Sequence, residues 1–410
     1  METLFKLSRQ FLELNNRKFK RYIFGMEDIF CSRLSFLTGQ RGVGKTTAVV
    51  QYAMQFCAND TTSEDVLYVQ TDHFLVRSSI YEIAEEFYNS GGKLLCLDEI
   101  HRYPGWSGEL KSIFDTFPGL KIIVSGSSAL EIRSGSHDLS RRAVIHRMAG
   151  LSFREFCEMT LDIELHCCTL DEIIFKHEKI ASRIVKLIET GGRKVLPVFR
   201  DYLKRGYFPY SMEHSSVPLF YLTLEQNIHR IIESDLLAVY PSLNGTSIRK
   251  IKKLLEMLTA NVPYTPDLKK LKTALDIGDE RTLKNYLKYL EDAGVIIMLG
   301  KGRAGLNSLE KPEKIYLNNT NFLYALNEPD AIDKGTLRET FFINTLLEKH
   351  RVATSETGDF LINGRITIEV GGKNKSTGQL RGTADSFLAL DDLESGFRNK
   401  IPLWLFGFLY

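Results

Sequence analysis

The segment Gly39-Gln40-Arg41-Gly42-Val43-Gly44-Lys45-Thr46 constrains this chain more than any other, because it fits G-x-x-x-x-G-K-[ST] at every position. Each part of that pattern answers a physical need. Glycines let backbone N–H groups turn inward around a polyphosphate, where a side chain would block the approach. Lys45 brings a point charge to the β- and γ-phosphates, and the Thr46 hydroxyl is placed to ligate Mg2+. The pattern works only between a strand and the N-terminus of a helix, which adds its partial positive charge. An apolar run at 34–37 precedes the loop and a helical pattern at 46–56 follows it. The expectation is a nucleotide held by Gly39, Gln40, Arg41, Gly42, Val43, Gly44, Lys45, Thr46 and Thr47.

A second constellation lies downstream. Leu94-Leu95-Cys96-Leu97 reads as a buried central strand ending in Asp98 and Glu99. Asp98 is expected to hold Mg2+ through its water shell, and Glu99 to polarise the attacking water as a general base. A further strand at 66–70 falls between the two motifs, the order of the P-loop branch that inserts a strand and uses a catalytic glutamate. Nothing resembling the guanine-reading N-K-x-D loop occurs, so ATP is the expected nucleotide.

Strands are expected at 34–37, 66–70, 93–97, 121–125 and 144–148, with helices at 46–56, 79–88 and 108–117 between them. This alternation implies an α/β fold, a parallel sheet with helices on both faces. The strand at 121–125 delivers Ser127 and Ser128, candidates for a polar sensor of the γ-phosphate. Arg141, Arg142 and Arg147 follow as candidates for an arginine finger in cis or across a subunit interface, with Arg142 the one selected.

Bulk properties bound the rest. A chain of 410 residues with 43% hydrophobic and 25% charged residues is a multidomain globular protein. Its net charge of +2 gives no nucleic-acid signal by itself. The six cysteines form no C-x-x-C pair, so neither a zinc knuckle nor a disulfide framework is expected. The start of the chain has no apolar core of a signal peptide. The apolar run at 401–410 is far shorter than the ~20 residues of a membrane span and reads as a buried terminal strand or helix. A cytoplasmic protein is expected.

With Cys96-Leu-Asp-Glu-Ile-His101, Gly126-Ser-Ser-Ala-Leu130 and Gly150-Leu-Ser-Phe-Arg-Glu-Phe156 in view, the chain resembles a family of prokaryotic AAA+-type ATPases fused to a C-terminal winged helix and a restriction-endonuclease-like module. Tyr207-Phe-Pro209, Asp279-Glu-Arg-Thr-Leu-Lys-Asn-Tyr286 and Glu339-Thr-Phe-Phe342 carry the resemblance through most of the chain. It implies an ATPase domain at 1–155, a helical lid or linker at 156–245, a winged helix at 246–305 and a small α/β nuclease-like domain at 306–410. In the winged helix, Leu283, Tyr286, Leu287 and Leu290 are expected inward, leaving Arg281, Lys284, Asn285 and Lys288 for phosphates or base edges. In the last domain, Glu339, Asp359, Glu369 and Lys373 resemble the acidic and lysine positions that converge on a metal. The family's last acid and lysine stand two residues apart. Here Glu369 and Lys373 stand four apart, an added reach of about 7 Å of strand that Gly371-Gly372 can recover only by bulging.

Three functions remain open on these residues: an ATP-hydrolysing switch or motor, an ATP-gated DNA-binding nuclease, and a nucleotide-dependent scaffold binding protein. ATP is the common partner. DNA, a protein or further copies of the chain each fit one of the readings, and a membrane fits none.

Overall fold

The computed structural model describes residues 1–126, 139, 141–240, 242–301, 311–376 and 385–410. The chain divides into two compact units, Met1–Gly150 and Leu151–Tyr410.

The first unit is built on five strands, β1 (Leu34–Thr38), β2 (Val66–Gln70), β3 (Leu94–Asp98), β4 (Lys121–Gly126) and β5 (Ala143–Arg147). They pair in parallel in the order β2-β3-β4-β1-β5. β1 and β3 are buried along their whole length, which is why they read as unbroken apolar runs and not as alternation. Around the sheet lie α1 (Glu2–Asn15), α2 (Lys45–Phe56), α3 (Ile80–Asn89) and α4 (Trp106–Thr116). The core joins Leu34, Phe36, Leu95, Leu97, Ile122 and Val124 of the sheet to Phe87, Leu110 and Ile113 of the helices. The chain starts its sheet in the middle, walks out to β2 and returns through β3 and β4, so β4 comes to lie between β1 and β3. The loops leaving β1 and β3 therefore open at the same end of the sheet, about 10 Å apart.

In this unit strand and helix bounds match the sequence pattern to within two residues, except at the start of the chain. The pattern gives no element before β1, yet α1 is a 14-residue helix. Its apolar residues Leu4, Leu7 and Phe11 recur at helical spacing, and the helix packs on the edge strand β2. Ser8 Oγ accepts the Tyr68 backbone N–H at 2.9 Å, satisfying a donor that an edge strand leaves unpaired.

The second unit begins with α5 (Phe153–Leu161), α6 (Leu170–Thr190), α7 (Val195–Arg205) and α8 (Val217–Arg230), then a π turn at Ile231–Asp235 and the short α9 (Leu236–Val239). Pro197 sits in the first turn of α7. A helix tolerates proline there because the missing N–H would have no intrahelical partner. Next come α10 (Gly245–Thr259), α11 (Leu268–Ala274), α12 (Glu280–Asp292) and the antiparallel pair β6 (Ile296–Leu299) and β7 (Lys314–Leu317), with Tyr264 bridging to Ile315 of β7. After α13 (Thr320–Leu326) and α14 (Lys334–Leu346) comes a second sheet of β8 (Val352–Thr354), β9 (Phe360–Ile362), β10 (Ile366–Gly371), β11 (Ser386–Leu390) and β12 (Lys400–Pro402). Its order is β12-β11-β10-β9-β8, with β9 antiparallel to both neighbours and the pairs beyond β10 parallel.

The apolar end of the chain is the buried β12 and a 3-10 turn, Leu403–Phe408. Its rings pack on Phe153, which lies 6.4 Å from Trp404 and 5.9 Å from Phe408, and 5.1 Å from Phe199 on α7. Phe153 opens α5 behind a buried capping box in which Ser152 and Glu155 satisfy each other's backbone N–H groups. Among the described residues no helix is long and apolar enough to cross a membrane. Replacing Phe153 by Ala should destabilise this unit by about 3–5 kcal/mol. In a denaturant titration the transition of the second unit moves to lower concentration while that of the first stays in place.

Candidate active site

The phosphate-loop pattern occupies the turn from β1 into α2. Gly39 cannot be replaced without movement, since a Cβ there would stand 2.3 Å from the carbonyl oxygen of Met148. Gly42 and Gly44 hold φ of 85° and 98°, conformations that side chains rarely adopt. Lys45 opens α2 and is buried, its ammonium donating to the carbonyls of Gly39 at 2.9 Å and Gln40 at 2.8 Å. The loop thus satisfies a desolvated charge with its own backbone.

Arg21 holds the loop from behind and was not among the residues that the motifs singled out. It is buried, and its guanidinium donates to Val43 O at 2.5 Å, Ala149 O at 2.9 Å and Gly150 O at 2.8 Å. Gln51 on α2 anchors the segment carrying it, donating to the carbonyls of Arg17 and Phe19. An arginine between a helix and a strand carries no local pattern that betrays such a clamp.

Asp98 ends β3 with only 1% of its surface exposed. The Thr46 hydroxyl donates to its Oδ2 at 2.8 Å, and the Tyr68 phenol donates to the same oxygen at 2.5 Å. Ser125 at the end of β4 donates to Oδ1. Burial raises the Asp98 pKa, against the opposing pull of Tyr68, Thr46 and Lys45. Thr46 Oγ1 and Asp98 Oδ2, two hard oxygens converging at the mouth of the loop, fit a divalent cation that prefers oxygen.

Glu99 is next in the chain and adopts a left-handed backbone, φ 54° and ψ 36°. A non-glycine residue there stores strain of about 1–3 kcal/mol, held by its surroundings. Its carboxylate lies 3.4 Å from His101 Nε2 and 3.7 Å from Arg102 Nε, and Arg102 pairs with Asp72 at 2.9 Å. Burial pushes the His101 pKa down to about 4, so the imidazole beside Glu99 is neutral at pH 7.

The structure brings Lys45, Thr46, Asp98 and Glu99 to one end of the sheet. It does not bring Arg142 there. In the parallel register Ala143 stands opposite Leu34 and Arg147 opposite Thr38, so Arg142 lies just before the other end of β5, about 17 Å away along the strand. It pairs there with Asp115 at 2.9 Å. Arg147 is the arginine at the phosphate-loop end, and Arg141 is exposed. Ser127 and Ser128 lie outside the described residues.

In the second unit, Glu339 on α14 accepts from Tyr316 at 2.8 Å and pairs with Lys314 at 3.4 Å, which also reaches Asp359 at 4.0 Å. Burial, with Asp359 nearby, raises the Glu339 pKa. Glu369 is buried on β10 and pairs at 2.6 Å with Lys375. Lys373, the lysine selected from the sequence, is exposed. A turn after Gly371 carries the chain back, so the sixth residue after Glu369 meets it and the fourth does not. Among the described residues no three acidic, histidine or cysteine side chains are grouped to hold a metal ion. On α12 the expected inward residues are buried, but Lys284 pairs with Glu280, and Lys288 with Glu291 and Asp292. Much of the charge on that outer face is neutralised within the helix itself.

Residues 32–157 match a family model described as an AAA domain, and 196–332 match one described as a domain of unknown function. No curated protein matches the chain. Solved structures that resemble it include a Walker-type ATPase of Pyrococcus abyssi, 14% identical over 73% of this chain and 92% of that one, TM-score 0.38. Another is AMPPCP-bound DnaA from Aquifex aeolicus, 15% identical over 64% of this chain and 82% of that one, TM-score 0.25. PCH-2 of C. elegans is 14% identical over 70% and 68%, TM-score 0.23.

Replacing Arg21 by Ala leaves one loop carbonyl, Val43, and those of Ala149 and Gly150 without this donor and should cost about 2–3 kcal/mol of first-unit stability. Thermal unfolding with and without a saturating nucleotide measures this. The midpoint should fall, and a ligand that binds only the folded state should recover part of the loss.

Proposed function

We propose, from the premise that residues 32–157 form an AAA-type P-loop ATPase domain, that the chain hydrolyses ATP in a Mg2+-dependent reaction with Glu99 as the base. The observation that carries this reading is the Thr46–Asp98 contact of 2.8 Å with Glu99 one residue further on. It supports a metal-holding pair with a carboxylate beside it at the end of one buried strand.

In this mechanism Gly39, Gln40, Arg41, Gly42, Val43, Gly44, Lys45, Thr46 and Thr47 hold the nucleotide, through backbone N–H groups of the loop and of the first turn of α2. Lys45 exchanges its two carbonyl partners for phosphate oxygens, a stronger charge-assisted contact. Thr46, and Asp98 through water, would hold Mg2+, which would supply positive charge against the polyphosphate. Glu99 accepts the proton of the attacking water, oriented by His101 and Arg102. Ser127 and Ser128, which follow β4 in the sequence, are the proposed γ-phosphate sensors, and Arg147 replaces Arg142 as the finger candidate of the same chain.

The second unit is proposed to be the working end, divided into a helical region at 156–245, a winged helix at 246–305 and a nuclease-like domain at 306–410. The order α10, Tyr264, α11, α12, β6, β7, with Tyr264 paired to β7, supports the winged helix. A sheet with one reversed strand, with Glu339 on the preceding helix and Glu369 on the central strand, supports the nuclease-like fold. Its carboxylates do not fit a catalytic metal, because Lys314 and Lys375 occupy them. We therefore read this domain as a binding module for DNA or protein and derive no cleavage step through it.

ATP turnover by wild type and Glu99→Gln, each with and without DNA, tests the proposal. Glu99→Gln should lose at least a hundredfold in turnover and keep nucleotide binding. Retained turnover removes Glu99 as base. Turnover that rises with DNA identifies DNA as the partner, and turnover indifferent to DNA assigns the module to protein.

A further inference from the structure

We propose that Tyr68 is a positioning residue for the Asp98 carboxylate, and that the N-terminal helix α1 sets Tyr68 in place. The inference rests on the reading of Asp98 as a holder of Mg2+.

Tyr68 is 3% exposed at the edge of the sheet, a site where phenylalanine would fill the same volume. The added hydroxyl must find a partner in the interior or cost free energy. Its partner is Asp98 Oδ2 at 2.5 Å, the oxygen that Thr46 also meets. The register explains how a tyrosine does this. Tyr68 stands opposite Cys96 and Gln70 opposite Asp98, so residues 68 and 98 share a face two positions apart. Bridging two positions along a strand, about 7 Å, takes a side chain as long as tyrosine. Thr46 and Tyr68 together fix Oδ2, while Ser125 takes Oδ1. Rotation of the carboxylate away from the mouth of the loop would break these contacts.

What holds Tyr68 is α1. Phe11 stacks on the Tyr68 ring with centroids 4.6 Å apart and planes inclined by 13°. Ser8 accepts its backbone N–H. Phe11 and Tyr68 also line a cavity of about 150 Å3 with Leu4, Leu7, His73 and Val76. The Phe11 stack and the Asp98 hydrogen bond hold the ring from two different elements. A helix absent from every sequence motif thus reaches the metal-holding carboxylate through one aromatic pair.

Calorimetric titration of the full chain with a non-hydrolysable ATP analogue, in Mg2+ and in EDTA, tests this. In wild type the ratio of the two affinities is the metal's contribution. Tyr68→Phe keeps the ring and should leave the EDTA affinity within twofold while cutting the Mg2+ ratio about tenfold, the value of one hydrogen bond to a charged group. Phe11→Ala should lower the same ratio by a smaller factor. A wild-type ratio retained in Tyr68→Phe overturns the proposal. So does an equal loss in both media, which marks a general effect on the fold. Absence of nucleotide binding by wild type would instead overturn the ATPase reading beneath it.

Discussion

A carboxylate almost wholly removed from water, Asp98, is the constraint around which the first unit is organised. Burying such a group costs several kcal/mol unless hydroxyls or cations meet it. Three hydroxyls do so, from three different elements: Thr46 of α2, Tyr68 of β2 and Ser125 of β4. The parallel order that places β2 and β4 on either side of β3 is what makes these donors available. The sheet topology and the polarity of the site are therefore one arrangement, and the apolar core on Leu95, Leu97, Ile122 and Val124 keeps it rigid.

The phosphate loop depends on the same logic applied to positive charge. Lys45 is buried and bonded to two carbonyls of its own loop, while Arg21 bonds to a third and to the two residues that close the unit. A loop rich in glycine is entropically costly to order. Here buried cations on both sides and the close approach of Met148 to Gly39 hold its shape before any ligand arrives.

The second unit shows the opposite use of charge. Its acidic side chains, Glu339 on α14, Asp359 just before β9 and Glu369 on β10, are met by lysines, Lys314 on β7 and Lys375 after β10. Lys375 draws its raised pKa first from its hydrogen bond to Glu369. A carboxylate already holding a lysine has lost much of its drive to bind a metal.

Much of the first unit was legible from residues alone, for a physical reason. A phosphate cradle needs glycines and a lysine at fixed spacing, and a buried parallel strand needs an unbroken apolar run, so Gly39 to Thr46 and Leu94 to Glu99 announce both the fold and the end of the sheet where its site lies. Other features were written in no local pattern. Arg21, Tyr68 and α1 gain their roles from neighbours distant in sequence, at Val43, Asp98 and the edge of β2. Arg142 stood near the motifs in sequence, but the parallel register carried it to the far end of the sheet. Lys373 had the right strand parity, yet the turn after Gly371 gave Glu369 to Lys375. Sequence determines chemistry wherever spacing along one element sets the geometry. Only the tertiary structure decides which side chains from separate elements meet, because pairing order and register are properties of the assembled sheet.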